Sequence, residues 1–172
     1  MKKQPIYLYI LLFFSTVGTL TWAIPTFGAP KSFELTDDIV KTMELTNAQD
    51  KADYVLYQDK LGQLNQFPLT FLLVSLIIIA LLATFYFLFM KEELLTAHYM
   101  YMGQIVLSQV YSCYRYFTES PLLATFSNPD LFKRYSFATF VALLYMTALS
   151  LLFFGIILYK TLRLRKAQAT AS

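Results

Sequence analysis

Long apolar blocks separated by short polar stretches dominate the chain. Four blocks, residues 6–24, 67–90, 94–117 and 135–159, are each long enough to cross a bilayer. A hydrocarbon core about 30 Å thick is crossed by roughly 20 residues of α-helix. Lipid offers the backbone no hydrogen-bond partners, so each block must be helical. The pattern predicts an all-α membrane protein forming one integral domain over residues 1–172. Its form is a four-transmembrane-helix bundle with N- and C-termini cytoplasmic. A short helical extracytoplasmic loop joins helices 1 and 2 over residues 25–66, and a cytoplasmic tail occupies residues 160–172.

The 25–66 loop contains two helix signals. Thr36 before Asp37-Asp38 has the form of an N-cap with acids in the first turn. It predicts a helix to about Leu45, with Ile39, Val40 and Met43 on one side. Thr46 and Gln49 have capping-box spacing, and the helix after them should run to about Leu61 with Gly62 as its stop. Ala52, Val55, Leu56 and Leu64 form its expected apolar stripe. Two short amphipathic helices cannot enclose a core, so they should pack on the bundle or lie at the interface. There they form either a cap or a docking surface.

In the first block, Ser15, Gly18, Thr19 and Trp22 recur at three- and four-residue spacing, a face open to close helix approach. Pro25 and Pro30 end that helix. The second block is apolar on every side, which suits a lipid-facing helix. Lys91-Glu92-Glu93 is a tight turn that makes the second and third blocks antiparallel neighbours. Asn128-Pro129-Asp130 marks another turn. The tail beyond Arg165 lacks any apolar pattern and is expected to be disordered.

The third block is the most polar. His98, Tyr101, Gln104, Ser108, Tyr111, Ser112 and Arg115 fall within a sector about 140° wide at roughly 100° per residue. Met102, Gly103, Val106, Val110 and Cys113 fall on the other side. Polar groups facing lipid cost free energy, so the stripe should face inward or face a partner. Arg115 can snorkel outward and pair with Glu119 one turn later. The stripe can serve as an interface within the bundle, as a docking face for another membrane protein, or as the lining of a water-filled path.

Composition agrees with the pattern. Hydrophobic residues make up 57% of the chain and charged residues 15%, and the mean hydropathy is +0.50. The net charge of +3 is small, and its distribution matters more. Lys2 and Lys3 precede the first block; Lys160, Arg163, Arg165 and Lys166 follow the last. Short basic segments stay in the cytoplasm, so basic residues at both ends favour an even number of crossings. Lys133-Arg134, in the connection between blocks three and four, runs mildly against that rule. The terminal basic cluster is a topology signal rather than a nucleic-acid patch. The first block is longer than a signal-peptide core and lacks a clean small-x-small site, so it reads as a retained helix. Were it cleaved, three crossings would remain.

Little chemistry is encoded. One histidine and one cysteine, Cys113, cannot assemble a metal or haem site. A disulfide within the chain is excluded. Gly-rich phosphate loops are absent, and no serine has a His–Asp set in reach. No cofactor is expected, and the protein reads as non-enzymatic. The basic start and compact turns suggest a bacterial plasma membrane. Two functions follow from the pattern. One is an accessory, regulatory or immunity-type subunit that binds a larger membrane partner through the third-block stripe and the outer loop. The other is a small self-associating transporter or channel with the third block lining its path.

Overall fold

The computed structural model describes residues 5–28 and 33–170. Lys2, Lys3, Pro30 and residues 171–172, all used in the sequence reading, lie outside the described residues. The described chain is helical, with no strand. Its elements are α1 (Ile6–Gly28), α2 (Asp37–Thr42), α3 (Ala48–Asn65), α4 (Pro68–Phe85), α5 (Leu94–Glu119) and α6 (Pro129–Ala169). A π-helical turn, Tyr86–Met90, continues α4, and a 3-10 segment, Ser120–Thr125, follows α5.

Among the described residues, three helices are long and apolar enough to cross a membrane: Ile6–Gly28, Pro68–Met90 and Pro129–Ala169. Large apolar side chains stand exposed along all three, among them Phe13, Ile24, Ile79, Leu82, Phe137 and Leu151. Water would not tolerate so extensive an apolar surface, whereas lipid covers it. α5 is of comparable length, 26 residues, but more polar. It lies in the centre, packed against both α4 and α6.

Side-chain pairings give the relative directions. Val74 and Ile77 of α4 pack with Tyr111 of α5. Leu81 and Leu88 pack with Ile105 and Ala97. The two helices are therefore antiparallel. α5 and α6 are antiparallel as well, with His98 opposite Thr161 and Gln109 opposite Thr147. α1 runs parallel to α5, since Tyr7 meets His98 and Trp22 meets Tyr111.

One end of the bundle carries a folded cap. α2 begins at Thr36, whose hydroxyl accepts the Ile39 N–H. It ends with Glu44 in the left-handed region, at φ 56°. The Leu45 N–H then returns to the Val40 carbonyl at 3.0 Å, a Schellman closure that usually takes glycine. Leu45 enters a cluster with Tyr54, Tyr57, Leu123, Phe126 and Leu131. That cluster joins α2 and α3 to the 3-10 segment and the start of α6.

Several expectations need correction. Asn47, not Thr46, caps α3, accepting the Asp50 N–H at 2.7 Å. Thr46 instead donates to the Asp50 carboxylate at 3.3 Å. α3 passes through Gly62 to Asn65, because the third to last turns find packing partners on the bundle. Its buried face is Asp50, Asp53, Tyr54 and Tyr57, while Leu56 is 47% exposed. α6 starts at Pro129, with Asn128 as its N-cap, and runs 41 residues to Ala169. At 1.5 Å per residue it is about 60 Å long, twice the hydrocarbon thickness. The segment after Arg165 is thus helical to Ala169 rather than disordered. A Cβ built on Gly18 meets nothing within 4 Å, so no helix approaches closely there; Gly18 borders open space.

Candidate functional site

The polar stripe of α5 turns into the bundle. His98, Tyr101, Gln104, Ser108, Tyr111 and Ser112 are all buried, and Gly103, Val106 and Val110 on the opposite face are exposed. The stripe meets its partners in layers along the helix.

At the end away from the cap, His98 Nε2 lies 2.8 Å from the Tyr7 hydroxyl. Its Nδ1 lies 3.1 Å from Thr161 Oγ1. Thr161 donates its own proton to the Ile157 carbonyl at 2.8 Å. It can therefore only accept from His98, which places an imidazole proton on Nδ1. His98 ties α5 to both α1 and α6. Lys160 sits over the Tyr7 ring, 4.9 Å from its centroid, so a cation already occupies this end.

One turn further, the Tyr101 hydroxyl donates to the Leu11 carbonyl at 3.1 Å and stands 2.7 Å from Ser15 Oγ. With its proton committed to Leu11, Tyr101 accepts from Ser15. Tyr111 packs against Trp22 at a ring separation of 5.0 Å. Ser112 turns back to its own helix, donating to the Ser108 carbonyl at 2.9 Å.

Toward the cap, Arg115 donates to Asn65 of α3 and lies 3.4 Å from Glu119 Oε2. The other oxygen of Glu119 accepts from the Tyr57 hydroxyl at 2.6 Å. Arg115 thus fastens α3 to α5. Burial, with the Glu119 charge beside it, pushes the Tyr57 phenol well above its usual range. The phenol therefore stays protonated and keeps donating.

The middle of the stripe differs. Gln104 donates its amide N–H to Ser108 Oγ at 3.2 Å, but its carbonyl oxygen is buried without a partner, and so is Thr19 Oγ1 of α1. Both border a cleft of about 400 Å³ between α1 and α6, over the centre of α5.

Sequence spacing located the stripe but missed what it binds. Tyr7, Asn65 and Thr161 are ordinary polar residues on other helices, and nothing local marks them. Gln109 was missed too; it lies beside the stripe and donates to Thr147 of α6 at 2.9 Å. Ser15, Thr19 and Trp22 did show a shared face, which lines the cleft while Ser15 and Trp22 also reach Tyr101 and Tyr111 of α5. Among the described residues, no three metal-ligating side chains converge.

Fold and site together define an all-helical protein with three helices able to cross a membrane, organised around a central polar helix and capped at one end. The chain belongs to the DUF8777 family, described as a domain of unknown function, whose model matches residues 1–170. No curated protein and no solved structure matches it.

Proposed function

We propose that the protein is a non-enzymatic accessory or regulatory subunit of a bacterial plasma membrane. In this reading α5 is a fourth crossing, both chain ends are cytoplasmic and the cap lies outside. The observation that carries it is where the stripe's polar groups are spent. His98, Tyr101, Ser112 and Arg115 all bond within the chain. A relay or conduction path needs such groups free to exchange partners. A scaffold needs them fixed.

A larger membrane partner then meets what the stripe leaves open. The cap exposes the acidic side chains of Glu34, Asp37 and Asp38, which suit a basic partner surface. α6 offers a long apolar flank that its own chain leaves uncovered.

The test is gentle-detergent purification of the tagged chain from its native membrane, with mass spectrometry and native mass. A stoichiometric foreign membrane protein is expected. Exchanging Glu34, Asp37 and Asp38 for Lys should reduce its recovery about tenfold, as opposed charges become like charges. A partner-free monomer contradicts the reading. A homo-oligomer that moves solute in vesicles would establish transport instead.

A further inference from the structure

The cleft between α1 and α6 carries an inference separate from any partner. It lies at mid-length of three helices, at the level of Thr19, Gln104 and Ser150. Its polar lining is Ser15, Thr19, Gln104, Ser108 and Ser150, with no charged residue. Phe14, Trp22, Tyr145 and Phe153 supply aromatic walls. Phe14, Val17 and Tyr145 are exposed, so the opening faces the lipid side of the bundle.

Two features make this a site rather than a packing fault. Gln104 is 2% exposed and Thr19 4% exposed, and each holds an oxygen with no partner. Buried polar atoms are normally satisfied, and an orphan calls for an explanation. The volume also falls in the range of small-molecule sites, roughly 300–1,000 Å³. A partner helix, about 10 Å across with its side chains, needs a groove running the length of the span.

We propose that this cleft binds a neutral, hydroxyl-bearing lipid taken from the bilayer. The ligand hydroxyl donates to the Gln104 carbonyl oxygen and accepts from the Thr19 hydroxyl. Its apolar body lies against Phe14, Tyr145 and Phe153. Neutrality follows from the uncharged walls, since an ion there would be neither hydrated nor paired. The hydroxyl follows from the two orphans, because one such group both donates and accepts. Water could meet the same two atoms, but it would leave the aromatic walls without contacts.

Trp22 is the chain's single tryptophan and lines the cleft, so its fluorescence reports occupancy directly. The full chain in nanodiscs is titrated with a dibrominated octadecanol and with the matching dibrominated octadecane; bromine quenches tryptophan on contact. Saturable quenching by the alcohol is expected, with the alkane about tenfold weaker for want of the hydrogen bonds. Gln104→Leu should bring the two probes together. Gly18→Leu, placed where a side chain meets open space, should abolish saturable quenching while leaving the helical circular dichroism and thermal midpoint unchanged. Equal quenching by both probes in the unaltered protein overturns the proposal. So does non-saturable quenching that Gly18→Leu fails to change, or a hydroxyl preference that survives Gln104→Leu.

Discussion

Asp53 shows how single residues hold the cap closed. Its carboxylate accepts the Ser127 backbone N–H at 2.7 Å and the Gln49 side chain at 2.7 Å. The Ser127 bond, above all, holds its carboxyl below the ordinary value of 3.8 despite the opposing effect of burial. A carboxylate depressed in the folded state stabilises the fold above its unfolded value, and that stability is lost as pH falls through the folded value. Cap protection against hydrogen exchange, corrected for the intrinsic rate, should be level from about pH 7 to pH 5 and decline below about pH 4. Asp53→Ala should lower it throughout, by about 1–3 kcal/mol, because the Ser127 N–H loses its partner. None of this was legible beforehand. Asp50 and Asp53 carry no local signal for this role. Their role depends on Ser127 and Asn128, more than 70 residues away in sequence. Only the folded loop brings these together.

At the scale of elements, hydrophobic length was the reliable signal and helix ends were not. All four apolar blocks became helices, because length and lipid leave the backbone no other choice. The ends of α3 and α6 moved because packing and caps, rather than apolarity, stop those helices. Asn128, read as a turn residue, is the N-cap of α6, so residues 129–134 extend a helix whose long apolar block starts at Tyr135. Arg134 in that extension pairs with Glu44 of the cap, which explains a basic residue that the charge rule disfavoured. The stripe of α5 was legible as a face because every third or fourth residue is polar. An interface within the bundle was among its three expected roles, but the particular partners on α1 and α6 were not legible. Tyr101→Phe tests the tie, keeping the ring and deleting the bonds to Leu11 and Ser15. It should cost about 1 kcal/mol, near the average of 0.6 for each interhelical bond in a membrane. Unfolding equilibria in mixed micelles would measure it; no change would mean that the stripe contributes nothing to helix association.

For the molecule as a whole, the described residues near both chain ends gather at one end of the bundle. Pro5, Tyr7, Leu94, Lys160 and Arg163 surround one shallow pocket there, and the turn at residues 91–93 lies beside it. The cap closes the opposite end. In the topology proposed above, α5 crosses alongside the three apolar helices, and the short turn at residues 91–93 lies on the side of the tail, with the cap on the other. The most direct measurement is side-specific labelling of single cysteines in a Cys113→Ser background, using an impermeant maleimide on intact cells and on inverted vesicles. Asp38→Cys should label from outside, while Glu92→Cys and Ala167→Cys label only from inside. Labelling of either Glu92→Cys or Ala167→Cys from the same side as Asp38→Cys would contradict the account: the first means that α4 does not separate the cap from the turn, the second that α5 is not a crossing.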